Sequence, residues 1–235
     1  MGSIGSNLQG VKGRIERACA AAGRDANTVT LLVVSKTFGA EAVREAFGAG
    51  ARAFGENYVQ EALAKIETLA DLRQQIEWHL IGPLQSNKTR AVAEVFDWVH
   101  TVDRLKIAER LSAQRPTHLP PLQVCLQVNI DGGANKSGVA PADALALARD
   151  VAQLPRLALR GLMSIPEIAP DFIASRSLHQ RVKELFDAIL ASEKDWLTHW
   201  DTLSMGMSAD LEAAIAAGST LVRVGTALFG ARIAA

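Results

Sequence analysis

The sequence is poor in most features that mark specialised proteins. Of its 235 residues only two are cysteines, Cys19 and Cys125. They form neither a CxxC pair nor a disulfide framework, so a thiol-stapled secreted scaffold is excluded and a cytoplasmic setting is expected. Cys125 lies in an apolar, strand-like run and reads as an inert buried thiol. Aromatics make up 5%, with a single tyrosine, Tyr58. Charge of one sign is also lacking: 25 Lys+Arg balance 25 Asp+Glu. A balanced chain carries no broad basic field for nucleic acid and no general pull toward acidic membranes. No apolar run reaches the ~18 residues of a membrane span, and the first residues hold no signal-peptide core. The five histidines show no metal-ligand spacing, and no HExxH, GxSxG, P-loop or GxGxxG signature occurs. No metal site is expected.

What remains is ordinary globular material, 49% hydrophobic and 21% charged. Its apolar residues are ordered. Ile4, Leu8, Val11, Ile15, Ala18 and Ala22 recur at helical spacing and predict an N-terminal helix ending near Gly23. Short β-branched runs then alternate with helical patterns. Strands are predicted at 28–35, 52–56, 76–81, 98–102, 122–129, 157–164, 202–205 and 221–227. Most helices between them are short; the longest is predicted over 172–194. The run 28–35, β-branched and without polar alternation, suits a strand covered on both faces, as in a parallel sheet. Eight such strands over residues 1–235 predict one α/β domain, a (β/α)8 barrel of the TIM type with an extra N-terminal helix.

In such a barrel, function sits at the carboxyl ends of the strands. Lys36 ends the most apolar strand. By position alone it is either a solvated strand-end lysine or a desolvated amine, whose neutral nitrogen attacks carbonyls. Ser204, Met205, Gly206, Met207 and Ser208 precede a short helix, and Gly225 and Thr226 follow the eighth strand. That grouping suits a phosphate site or a capped helix, and both can hold at once. Arg223 interrupts an apolar strand, where its guanidinium must find acceptors, from an ion pair or from a ligand. Asn57 suits a ligand contact or a helix cap. His79, inside WHLIG, reads as a satisfied core histidine.

Several blocks in fixed order carry a resemblance: VVSK at 33–36, FGENYVQE at 54–61, WHLIGPLQSNK at 78–88, VNI at 128–130 with NKSG at 135–138, GLMSIP at 161–166, LSMGMSAD at 203–210 and RVGTALFGAR at 223–232. In these the chain resembles the pyridoxal phosphate homeostasis (YggS/PROSC-like) family. The resemblance implies a barrel similar to the N-terminal domain of alanine racemase. It implies that Lys36 holds pyridoxal 5′-phosphate (PLP) as a Schiff base and that Asn57 lines the cofactor. Ser204, Met205, Gly206, Ser208, Gly225 and Thr226 would surround the phosphate, and Arg223 would face the pyridine nitrogen. Lys136 matches a family lysine suggested to handle PLP transfer; by sequence alone it is a loop lysine near Gly138.

The implied role is intracellular PLP homeostasis without turnover, with no catalytic residue and with PLP-requiring apo-enzymes as partners. The rival is a PLP-dependent amino-acid racemase. The resembled racemases add a β domain whose tyrosine supplies a second acid/base. The present sequence stops about five residues past Gly230, and Tyr58 is its one tyrosine. Loss of the dimer contact made by that domain predicts a monomer. A third possibility, a phosphate-sugar enzyme, needs an acid/base pair, for which Glu56 and Asp103 are candidates.

Overall fold

The computed structural model describes residues 2–133, 136–193 and 196–230. Asn135 of the NKSG block, Lys194 at the expected end of the long helix, and Ala231 and Arg232 of the last block lie outside the described residues.

Eight parallel strands close into a barrel in chain order. They are β1 (Thr30–Val34), β2 (Ala53–Glu56), β3 (Glu77–Leu80), β4 (Trp98–Val102), β5 (Leu122–Val128), β6 (Leu157–Ser164), β7 (Thr202–Met207) and β8 (Leu221–Val224). Closure is made by β1 against β8, with Leu32 opposite Arg223. Around the barrel run α2 (Ala40–Gly48), α3 (Val59–Thr68), α4 (Thr89–Val95), α5 (Leu105–Gln114), α6 (Ala144–Ala152), α7 (Phe172–Glu193), α8 (Leu211–Ala216) and a single turn α9 (Thr226–Phe229). The expected extra helix is α1 (Ile4–Ala21), capped by Ser3, whose hydroxyl accepts from the Ser6 N–H. Its far end returns the Arg24 N–H to Cys19 O at 2.9 Å, a glycine-dependent stop at Gly23.

Strand periodicity sorts the core into two layers. Successive side chains on a strand face opposite ways. Val33, Phe54, Trp78, Leu80, Val99, Leu126, Leu162 and Leu203 pack outward against the helices in the main cluster. Each large side chain so buried contributes about 1.5–3 kcal/mol. Their neighbours face inward and form smaller clusters, Leu32, Val34, Ala53, Ile81 and Leu221 in one, Trp98, Cys125 and Met163 in another. The inward layer also contains His79, His100, Ser204 and Arg223, all buried. Barrel interiors are filled by side chains rather than open, but here a large share of the filling is polar.

At the carboxyl ends, two strands depart from the sequence expectation by more than one residue. Strand β7 continues to Met207, with a register shift against β8 between Ser204 and Met207. Strand β8 stops at Val224, not 227, because the N–H groups of Leu228 and Phe229 both return to Gly225 O at 2.9 Å. The apolar run carried on because Leu228 is buried and the Phe229 ring stacks on Phe38 at 4.6 Å.

Candidate functional site

The turn that carries Lys36 is held from both sides. Ser35 extends the β1 ladder by donating to Gly55 O at 3.0 Å. Thr37 adopts φ +68°, a strained left-handed conformation for a β-branched residue. Its N–H donates to Glu61 Oε1 at 2.6 Å. Beneath the turn the Lys65 ammonium, 4% exposed, reaches Ser35 O at 2.8 Å, Glu56 Oε1 at 2.5 Å and Glu61 Oε1 at 3.1 Å. Glu56 is fully buried and also accepts from Ser35 Oγ at 2.6 Å. Burial pushes the Glu56 carboxyl upward, and Lys65 offsets this only in part. A buried ion pair between Lys65 of α3 and Glu56 of β2, extended by Glu61, thus anchors the backbone on both sides of Lys36.

Lys36 opens onto a cavity of about 300 Å³ at the carboxyl end of the barrel, within the range of small-molecule sites. Its polar lining is Lys36, Asn57, Ser208, Arg223 and Thr226, with the backbone at Gly225. Val34, Phe38, Ile81, Ile165 and Met207 supply apolar walls. Larger space, about 570 Å³, lies between α1, α7 and α8, among Arg14, Arg17, Phe172 and Arg176. No strand end reaches it, so it lacks the scaffold that makes the carboxyl-end site.

Arg223 forms the cavity floor and is 4% exposed. Nη1 donates to Ser204 O at 2.6 Å and to Ser204 Oγ at 2.7 Å, and Nη2 donates to Ser164 O at 2.8 Å. Burial pushes the guanidinium down to about 10, so it stays cationic at neutral pH. Gly225 follows; a Cβ there would stand 3.0 Å from Val34 O. Gly206 has φ +90°, and a Cβ on it would stand 2.4 Å from that of Ala214. Only glycine fits that position, where β7 bends before Met207 and Ser208.

The expected site residues therefore divide. Lys36, Asn57, Ser208, Arg223, Gly225 and Thr226 meet in one cavity. Ser204 and Met205 are fully buried: Ser204 is turned inward onto Arg223 and His100, and Met205 packs in the main core. Gly206 lies buried behind them. Lys136 is elsewhere, in the loop after β5, paired with Asp131 at 2.5 Å. Burial raises the Asp131 carboxyl, but the bonds from Lys136 and the Glu167 N–H outweigh it and hold it low. The acid/base pair of a phosphate-sugar enzyme is not assembled. Glu56 is taken up by Lys65 and Ser35, and Asp103 pairs with Arg104 at 2.7 Å.

Two groups escaped the sequence reading. Lys65 carried a weak signal, its i, i+4 spacing from Glu61 on a helix. His100 carried none, because its partner Ser204 is 104 positions away. His79 is buried as expected and contacts His100 at 2.9 Å through Nδ1, but it is only half satisfied, because its Nε2 has no hydrogen-bond partner. Both cysteines are buried and free. Among the described residues no group of His, Cys, Asp and Glu is arranged for a metal ion, and no helix is long and apolar enough to cross a membrane.

Comparison with known proteins agrees with this architecture. A profile of the family described as "Alanine racemase, N-terminal domain" matches residues 7–233. A pyridoxal phosphate homeostasis protein of Pseudomonas aeruginosa is 60% identical over 99% of this chain and 97% of its own. One from Escherichia coli is 52% identical over 99% and 98%. Among solved structures, PipY of Synechococcus elongatus with PLP bound has TM-score 0.80 and 39% identity, over 92% of this chain and 99% of that one. Alanine racemase of Corynebacterium glutamicum shares the fold alone, with TM-score 0.64 and 17% identity over 97% of this chain and 62% of that one. The chain belongs to the pyridoxal phosphate homeostasis proteins, a family built on the alanine racemase N-terminal barrel.

Proposed function

We propose that the protein binds PLP in the carboxyl-end cavity and serves its intracellular homeostasis as a carrier, without turnover of its own. The single observation that carries this is the meeting of Lys36, Arg223, Ser208 and Thr226 around one cavity of about 300 Å³. The donor set fits the ligand. When bound, PLP supplies an aldehyde that condenses with a primary amine, a ring nitrogen and a phosphate. Lys36 is the amine. Arg223 is a fixed, buried donor for a ring heteroatom, and a cationic donor there disfavours protonation of that atom. The Ser208 and Thr226 hydroxyls and the bare backbone at Gly225 suit phosphate oxygens. Asn57 Oδ1 is buried with no hydrogen-bond partner and lines the same cavity, as a residue awaiting a ligand donor does.

The absence of a second acid/base group supports the carrier over a racemase. Among the described residues lining the cavity, Lys36 and Arg223 are the only ionisable ones. Tyr58 is outside it, at the start of α3 and 56% exposed. A partner enzyme that takes up the cofactor directly would approach the open mouth near Ile165 and Met207. Lys136 would have to leave Asp131 before it could take part in any transfer.

Purified protein is expected to absorb in the visible as a lysine-bound PLP protein does. Borohydride should fix one PLP per chain on the Lys36 peptide, read by mass. Lys36→Ala should lose that fixed cofactor. Full reducible PLP in Lys36→Ala would refute the site, and substantial racemase or decarboxylase turnover across an amino-acid panel would refute the carrier.

A further inference from the structure

The barrel interior contains a chain of polar groups that the cavity chemistry leaves unused. It begins at Glu77, exposed at the amino end of the barrel, and ends at Arg223 on the cavity floor. His79 Nε2 is 3.6 Å from Glu77 Oε2. His79 Nδ1 is 2.9 Å from His100 Nε2, and His100 Nδ1 is 2.8 Å from Ser204 Oγ. Ser204 Oγ accepts from Arg223 Nη1 at 2.7 Å. His79, His100, Ser204 and Arg223 are each at most 4% exposed.

Donor counting gives this chain one direction. A guanidinium only donates, so Ser204 Oγ is an acceptor toward Arg223. Its own proton is then satisfied by His100 Nδ1, which must be the acceptor nitrogen. Burial first, and the Arg223 charge with it, hold His100 well below its ordinary value, so it is neutral. Its proton is therefore on Nε2 and is donated to His79 Nδ1. The His79 proton is left on Nε2, which has no hydrogen-bond partner and faces the Glu77 carboxylate. Each hydrogen bond from Arg223 to His79 points the same way, away from the cation, so each polarises the next, and the last ring proton faces the Glu77 carboxylate. Arg160, over the Trp98 ring at 4.8 Å, flanks the Glu77 end, and Asp210 and Lys36 bear on the Arg223 end.

We propose that Ser204, His100 and His79 are positioning residues for Arg223: a one-way hydrogen-bond chain through the barrel that aims the guanidinium at the ring of the bound ligand. This rests on the PLP reading above. It also assigns Ser204 a different task from the phosphate contact expected of it. The chain engages Ser204 O and Oγ together with Ser164 O, so three of the five donors of the guanidinium are fixed by protein. The remaining donors serve the cavity that Arg223 lines.

Two arms test it. In 15N-labelled, PLP-free protein at pH 7.5, His79 and His100 should both show the neutral Nε2–H tautomer. An Nδ1–H or cationic signature on either ring overturns the chain, whatever the protein binds. In the PLP-loaded protein, His100→Phe keeps the ring that packs on His79 and Trp98 but removes both nitrogens. It should retain borohydride-fixable PLP on Lys36. It should shift the pH at which the bound chromophore changes form and speed PLP loss about ten-fold, the scale of one hydrogen bond to a charged group. Ser204→Ala should act in the same direction, and His100→Gln, which keeps a donor and an acceptor, should restore part of the effect. A purely structural role would lower the melting temperature of His100→Phe and leave the chromophore's pH midpoint and release rate at wild-type values; that result overturns the proposal. Wild-type protein that takes up no PLP would instead refute the cofactor reading and the positioning role together, while the tautomers still decide the chain.

Discussion

Replacing Lys65 by methionine tests the buried clamp under Lys36. The change removes the ammonium from Ser35 O, Glu56 Oε1 and Glu61 Oε1. It leaves Glu56 fully buried with Ser35 Oγ as its remaining bonded partner, and Glu56 Oε2 already has none. Removing one partner of a buried pair costs about 3–5 kcal/mol. At about 2–4 °C per kcal/mol for a chain of this size, the melting temperature should fall by roughly 10 °C.

The penalty should depend on pH, and its sign follows from Glu56. The carboxyl is already raised in the folded wild type by burial, and loss of Lys65 raises it further. A group raised on folding binds its proton more tightly in the native state. Stability is therefore complete below the unfolded value of about 4.3 and is lost as pH rises through the folded value. Urea unfolding followed by circular dichroism at pH 5 and pH 8 should show Lys65→Met weakened much more at pH 8. The double variant Glu56→Gln/Lys65→Met removes the stranded charge and should recover most of the loss, giving a coupling energy of about 2 kcal/mol or more. Lys65→Met within 1 kcal/mol of wild type at pH 8, or an equal penalty at both pH values, would refute the clamp.

Other outcomes follow from single features. Gly206→Ala forces a Cβ toward Ala214 at a φ of +90° and should cost at least about 2 kcal/mol, read as a lower urea midpoint; an unchanged midpoint would show that β7 relaxes freely there. Burial pushes the Cys125 thiol up to about 12 and raises Cys19 as well. At pH 8 only about one Cys125 in ten thousand is then a thiolate. Neither cysteine should react with an aromatic disulfide reagent until the protein unfolds, when both should; fast native labelling would contradict the packing.

The barrel was legible because its signal is local. Apolar runs without polar alternation, such as 30–34, announce strands covered on both faces, and helical spacing announces what covers them. All eight strands lie within the expected runs but for the last residues of β7. The errors lie where local pattern stops discriminating: the apolar run 221–227 spans a strand and the start of a helical turn, and the turn keeps apolar residues because Leu228 is buried and Phe229 stacks on Phe38. The residues that line the cavity were legible for the same reason. Lys36, Asn57, Ser208, Gly225 and Thr226 each lie within two residues past a strand, Arg223 lies one residue from the end of β8, and barrel topology brings all strand ends to one face.

The direction of each side chain was not local. Ser204 and Ser208 are four positions apart in one motif and looked equivalent. The bend at Gly206 turns the first into the barrel, against His100 and Arg223, and leaves the second on the cavity. Glu56 and Asn57 are adjacent, yet one is withdrawn to Lys65 and the other lines the cavity, because Glu56 ends β2 and Asn57 lies in the bend just past it. The sequence by itself determined the barrel, the family and which strand ends meet at the cavity. The tertiary structure alone decided which polar groups share the dry interior, since a hydrogen bond between His100 and Ser204 depends on strand register around a closed sheet and leaves no trace in either segment.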